Sequence, residues 1–303
     1  MAGRSCSRLL FGVAAGNLTA VHPLAFELGR LVVTWYGVLV VCGFMAGLWT
    51  ASRRAVRNGI ASETILDMGP WLMAGTIVGA RAWYCVAYWD DVMKDAAYFH
   101  NNPAIEVFMV QHAGLVFYGG LIGASLTCIL YARWKNLPLW KLADALAPSI
   151  ALGSAFGRIG CLMNGCCYGK HCVAPWAIKY LSIRFPINHE SFPWPVHPVQ
   201  IYDSLLNLAL YGGLAWFYRR KKFDGQVFAL YLMCYAATRS FVEIFRGDYT
   251  PQHLFHGWLT PAQLTSVIGV AIGAVLLWKL PRNTPPAAPP TDRPFAEGVH
   301  ENA

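Results

Sequence analysis

Gly157-Arg158-Ile159-Gly160-Cys161-Leu162-Met163-Asn164-Gly165-Cys166-Cys167-Tyr168-Gly169 closes a hydrophobic stretch in the middle of the chain. It sets a permanent cation, an amide and two adjacent thiols among small residues at the end of an apolar run. Arginine stays protonated under physiological conditions, and placing it at membrane depth costs roughly 2.5 kcal/mol or more on insertion scales. An anionic partner offsets that cost. In a bilayer the most abundant such partner is a lipid phosphate.

The remainder of the chain agrees with a membrane setting. Of its 303 residues 56% are hydrophobic and only 13% charged, against about 25% charged in soluble globular proteins. Twelve Trp and 14 Tyr suit interfacial aromatic belts. The net charge of +8 is carried by clusters that follow or separate apolar runs: Arg53, Arg54 and Arg57; Arg133, Lys135 and Lys141; Arg219 to Lys222; Lys279 and Arg282. That is a positive-inside pattern, and no nucleic-acid-binding motif accompanies it. A nucleic-acid partner is therefore not expected.

The apolar runs predict an all-α polytopic membrane protein with seven transmembrane helices, at roughly 31–51, 65–88, 113–132, 142–163, 199–218, 226–246 and 261–279. Basic clusters inside place the N-terminus outside and the C-terminus in the cytoplasm. The 90–112 loop, with Asp90, Asp91, Asp95 and Glu106 against Lys94, reads as external. Prolines 175, 186, 193, 195 and 198 exclude a long helix from Tyr168 to His197, which reads as an external arm. Residues 1–20 read as an N-terminal extension without a role, a weak signal peptide being the alternative, and 21–280 as the transmembrane domain. Residues 281–303 read as a disordered cytoplasmic tail.

Five features carry chemistry that could share one pocket. Arg81 ends the second span, and Tyr118-Gly119-Gly120-Leu121-Ile122-Gly123 lies early in the third. Arg158 and Asn164 end the fourth, and His197-Pro198-Val199-Gln200-Ile201-Tyr202 opens the fifth. Arg239, Glu243 and Arg246 recur at i, i+4 and i+7 in the sixth, which puts all three on one helical face. Two arginines around one glutamate suit either a packing ion pair or a phosphate clamp, since a planar guanidinium meets two phosphate oxygens at once. Gly119 and Gly120 suit close helix packing, approach of backbone to a ligand, or both. His197 reads as a structural hydrogen-bonding residue or a substrate contact.

Four of the nine cysteines, Cys161, Cys166, Cys167 and Cys172, fall within twelve residues. A disulfide from Cys166 or Cys167 to Cys172 would suit an oxidising exterior. A redox role and a metal site stay open beside it. The C-x4-C-C-x4-C spacing matches none of the usual zinc patterns, so no metal ligand is assigned.

At these residues the chain resembles the prolipoprotein diacylglyceryl transferase family, over roughly residues 21–280. The resemblance rests on His22-Pro23, Trp35-Tyr36-Gly37, Tyr118-Gly119-Gly120-Leu121-Ile122-Gly123, Gly157-Arg158, His197-Pro198-x-Gln200-x-Tyr202 and Arg239-x-x-x-Glu243-x-x-Arg246. It implies a seven-helix enzyme of the bacterial inner membrane, needing no cofactor. Such an enzyme moves the sn-1,2-diacylglyceryl group of phosphatidylglycerol to the lipobox cysteine of a prolipoprotein signal peptide and releases glycerol 1-phosphate. Matching family residues are Tyr36, Arg158, Asn164, Gly169, Arg239, Glu243 and Arg246.

Three positions depart from the family pattern: Tyr118 stands where it usually has His, Cys161 where it has Asn, and Cys166 where it has Glu. The catalytic set expected from the residues and the resemblance is Arg158 and Arg239 on the phosphodiester, Glu243 holding that clamp, and Tyr118 accepting the thiol proton or bonding the phosphate. Tyr36, Arg81, Gly119, Gly120, Asn164, Gly169, His197 and Arg246 are the expected substrate-binding set. A lipid-binding protein without catalysis and a thiol-redox membrane protein are the alternatives.

Overall fold

The computed structural model describes residues 18–19, 24–28, 31–98, 107, 116–179, 194–247 and 260–280. Residues 1–17 of the expected extension, the tail 281–303, most of the 99–115 stretch and the 180–193 part of the arm lie outside the described residues. The strands are β1 (Leu18–Thr19), β2 (Leu24–Leu28), β3 (Leu31–Thr34) and β4 (Ile178–Lys179). The helices are α1 (Trp35–Val56), α2 (Ser62–Ala87), α3 (Trp89–Tyr98), α4 (Phe117–Trp134), α5 (Leu139–Asn164), α6 (Val199–Tyr218), α7 (Gln226–Glu243) and α8 (Pro261–Lys279).

The chain is mostly helical. Trp35–Val56, Leu139–Asn164 and Ala262–Lys279 are long and apolar enough to cross a bilayer. The 199–218 and 261–279 runs coincide with α6 and α8. Three expectations need correcting. The first run does not begin as a helix at 31, because β2 and β3 pair as an antiparallel hairpin before α1 starts at Trp35. The 90–112 segment is not loop throughout: α3 occupies its first residues, with Asp90 and Asp91 in the first turn where carboxylates favour the helix dipole. The extension is not idle up to residue 20, since β1 pairs in parallel with β4 of the arm. The described part of the arm carries no helix, in keeping with its prolines.

The chain divides into two compact units. The first draws on Met1–Ala46, Ile150–Arg219 and Ala229–Lys279, and the second on Gly47–Ser149, Arg220–Phe228 and Leu280–Ala303. In the first, α1 meets α5 closely at Gly43, where a Cβ would lie 2.7 Å from Cβ of Phe156. Gly273 of α8 likewise admits Met233 and the carbonyl of Ala229 from α7.

In the second unit the pairing of α2 with α4 is set by facing Gly-x-x-x-Gly pairs. A Cβ on Gly79 would lie 2.4 Å from the Gly119 carbonyl oxygen, and one on Gly75 would meet Gly123 O at 3.1 Å. Small residues let two membrane helices bring their backbones together where no hydrophobic difference from lipid drives them. The same unit buries Arg54, whose Nε donates to the Ala145 carbonyl and whose Nη2 donates to Ser149 Oγ. Asp144, fully buried, accepts from Lys221 Nζ at 2.9 Å and from the backbone N–H of Gly225 and Phe228, so it caps the start of α7.

Candidate functional site

The first unit assembles most of the expected residues at the end of α5. That helix stops at Asn164 because Gly165 takes a left-handed conformation (φ +72°). The N–H of Gly165 donates to Leu162 O and that of Cys166 to Cys161 O, the paired reverse bonds of a glycine C-cap. Cys167 (φ +62°) turns the chain again. The short layer that follows joins three segments: Lys170 N donates to Phe245 O, Gly247 N to Tyr168 O, and Gly169 N to His197 O. Gly169 pairs with Arg246 in this layer, where a Cβ would lie 2.6 Å from both Cβ and O of His197. Gly169 is therefore a packing requirement of the layer that positions Arg246.

Arg158 does not stand alone. Its Nε lies 2.7 Å from Oδ2 of Asp203 on α6, and Asp203 in turn accepts from Asn207 Nδ2 at 2.7 Å. Pairing through Nε leaves the two terminal nitrogens of the Arg158 fork without a hydrogen bond among the described residues. Tyr235 of α7 acts electrostatically on Arg158, and Tyr36 of α1 lies within electrostatic reach of Arg158 and of the nearby thiols. Tyr36 also packs directly on α5, since a Cβ on Gly160 would lie 3.0 Å from Tyr36 Cδ2.

Four residues on from Arg239, Glu243 ends α7. Arg239 Nη1 and Glu243 Oε2 form an ion pair at 2.6 Å, yet their alignment is not that of a hydrogen bond, and both atoms are buried without a hydrogen-bond partner among the described residues. Such a pair keeps bonding capacity that a polar ligand can take up. Arg246 is not on the helix, contrary to the i, i+4, i+7 reading. Residues 244–246 leave α7 through tight i→i+3 bonds, and Arg246 reaches Glu243 Oε2 at 3.8 Å from the layer beside Gly169. Among the described residues these three arginines are ion-paired to two carboxylates, an excess of one cation before the thiols are counted.

The thiols also differ from expectation. Cys166, Cys167 and Cys172 are all free, so of the alternatives left open for these thiols the bridge to Cys172 is not the one formed. The Sγ of Cys172 instead accepts the Ala174 N–H at 3.3 Å. Sγ of Cys161, Cys166 and Cys167 lie within 4.8 Å of one another. Hydrogen bonds from Cys161 and Cys166, and then the charges of Arg158 and Arg246, hold the Cys167 thiol below the ordinary thiol range. Asn164 acts on the Cys166 side chain from close by. His197 serves the arm: its Nδ1 is 3.3 Å from the Tyr202 hydroxyl, which accepts from Trp176 Nε1 at 2.7 Å, and its ring packs on Phe245.

Arg81, Tyr118, Gly119 and Gly120 belong to the second unit. Buried Arg81 donates from Nε to Val107 O at 3.0 Å and lies over the Tyr84 ring. Tyr118 is half exposed in the first turn of α4, edge-on to Phe117. Gly119 and Gly120 are buried against Gly79, Thr76 and Ala80, which supports their packing reading.

Asp203 is the residue that the sequence reading missed. Its signal was a lone ionisable side chain within the apolar 199–218 run, a placement that usually marks a partner or a pathway. Farther along α7, an apolar cavity of about 340 Å³ opens between Ala236, Ala237 and Ser240 and the α8 residues Ser266, Val267 and Val270.

The family profile described as prolipoprotein diacylglyceryl transferase matches residues 23–279. The phosphatidylglycerol–prolipoprotein diacylglyceryl transferase of Finegoldia magna is 34% identical over 84% of this chain and 93% of its own length. That of Nitratidesulfovibrio vulgaris (strain Miyazaki F) is 34% identical over 90% and 98%. The Geobacillus kaustophilus protein of the same name is 35% identical over 86% and 93%.

Proposed function

The chain belongs to the prolipoprotein diacylglyceryl transferase family, and from that premise we propose that it moves the diacylglyceryl group of phosphatidylglycerol to a prolipoprotein cysteine. The observation that carries this reading is the presence in one unit of Arg158, Arg239 and Arg246, three cations that among the described residues are ion-paired to only two carboxylates, Asp203 and Glu243. The relatives named above carry a transferase's name, so the lipid-binding and redox alternatives are set aside.

In the proposed reaction the acceptor thiolate attacks the glyceryl carbon esterified to phosphate. A carbon–sulfur bond forms, the carbon–oxygen bond breaks, and glycerol 1-phosphate leaves with the electron pair. Arg158 and Arg239 bind the phosphodiester and stabilise the charge that grows on the departing oxygen, an electrostatic effect that is strong where water is excluded. Asp203 and Glu243 hold the two guanidinium groups in place. Arg246 is set by the Gly169 layer, and Tyr36 and Asn164 orient the head group. The apolar cavity between α7 and α8 suits an acyl chain. The roles of Tyr118 as acceptor of the thiol proton, and of Arg81, Gly119, Gly120 and His197 at the substrate, rest on the resemblance and on their chemistry.

Among the described residues, seven helices of 18 residues or more support a seven-span topology, since 18 residues rise about 27 Å, and the basic clusters support an N-terminus outside and a C-terminus in the cytoplasm. The inner membrane is the proposed location and the lipobox cysteine the proposed acceptor. The test uses the full chain in phosphatidylglycerol micelles with a lipobox peptide, following glycerol phosphate release and peptide mass. One diacylglyceryl group gained per glycerol phosphate released is the expected result. A preparation that binds phosphatidylglycerol and transfers nothing overturns the reading.

A further inference from the structure

Cys161 lies in the last turn of α5, and the glycine C-cap at Gly165 folds Cys166 back over it, so that Cys166 Sγ approaches the Cys161 carbonyl at 3.7 Å. The left-handed turn at Cys167 then returns a third sulfur to the same place. We propose that Cys161, Cys166 and Cys167 bind one thiophilic cation of the Zn2+ class.

The geometry supports it in three ways. All three Sγ atoms lie within 4.8 Å of one another, and sulfurs sharing a zinc at about 2.3 Å stand roughly 3.8 Å apart. Small side-chain rotations therefore close the set. The backbone that carries it is anchored, because Gln200 Nε2 donates to the Cys166 carbonyl at 2.7 Å and the C-cap bonds fix the turn. An all-sulfur donor set selects zinc and softer ions over magnesium or calcium.

Three thiolates on a divalent ion carry one net negative charge. Three protein ligands leave a fourth position for water. Cys172 takes no part, its sulfur being engaged with the Ala174 N–H. The C-x4-C-C spacing is unlike a finger's because one helix turn and one reversal, rather than two knuckles, bring the sulfurs together. The ion takes all three sulfurs as thiolates, and any proton still held is lost to solvent on binding, so metal uptake releases acid.

The experiment uses the full chain in detergent, reduced, stripped with chelator and kept free of oxygen. Titration with Co2+ should saturate at one ion per chain with thiolate-to-cobalt charge-transfer absorption, which Zn2+ then bleaches. Zn2+ should also protect three thiols from maleimide, mapped by mass to Cys161, Cys166 and Cys167 in the unmutated protein. Cys166→Ser should lose the absorption and Cys172→Ser should keep it. Absence of the absorption in the unmutated protein, protection mapped to other cysteines, or absorption surviving both Cys161→Ser and Cys166→Ser overturns the proposal.

Discussion

Arg158 Nε and Asp203 Oδ2 stand 2.7 Å apart, joining the end of α5 to the start of α6 with Asp203 almost fully buried. Removing one partner of a buried pair leaves the other charge uncompensated, at a cost of about 3 kcal/mol. Asp203→Asn should therefore lower the thermal midpoint in detergent and weaken phosphatidylglycerol use through loss of Arg158 orientation. Arg158→Ala with Asp203→Ala should destabilise by less than the two single changes together, as expected for coupled neighbours. Additive effects would show that the contact carries no coupling.

Arg239→Ala should slow lipobox-peptide lipidation by about a hundredfold or more, the scale of losing one preorganised donor at a developing charge. Arg239→Lys should recover little, because an ammonium lacks the planar fork that engages two phosphate oxygens. Rates near the unmutated value for both would take Arg239 out of the clamp.

Tyr118→Phe removes the hydroxyl proposed to take the thiol proton. A steep fall in transfer rate is expected, and Tyr118→His should retain activity. Should the Phe protein work as fast as the original, the thiol must be activated by electrostatics alone.

At Gly169 the expected outcome is structural. An alanine Cβ there would sit 2.6 Å from His197 backbone and Val199, so Gly169→Ala should cost about 1–3 kcal/mol and displace Arg246. Gly212→Ala is the control: nothing described lies within 4 Å of its Cβ position, and an alanine inside α6 should gain up to about 1 kcal/mol. Limited proteolysis of the arm, with thermal midpoints, compares them.

Gly79→Ala should separate α2 from α4, since its Cβ would fall 2.4 Å from Gly119 O and 2.8 Å from Gly123 Cα. A loss of about 1–3 kcal/mol is expected from such overpacking. Cross-linking between cysteines introduced on the two helices would follow the separation. Unchanged cross-linking and midpoint would mean that the helices have slack the glycines do not reveal.

Much of the helical framework was legible because apolar runs are local signals. The runs at 199–218 and 261–279 are α6 and α8 residue for residue. Boundaries failed where another local preference intervened: the hairpin before Trp35, and the glycine C-cap that carries α5 on to Asn164. Gly119 and Gly123 were visible as small residues, but not their partners Gly75 and Gly79, because nothing in one helix names the face it will meet.

By itself the sequence determined that this is a helical membrane protein with arginines at Arg158, Arg239 and Arg246, and the order of those blocks pointed to the family. These are properties of residue type and short-range spacing. Only the tertiary structure decided that Asp203 neutralises Arg158, that Arg246 reaches Glu243 from outside α7, and that three thiols meet while Cys172 turns away. Each of those depends on how the chain reverses at Gly165 and Glu243 and on which helices then pack. A buried charge takes whatever partner the packing brings within reach, and that choice is made across 44 residues of intervening chain in the case of Arg158 and Asp203.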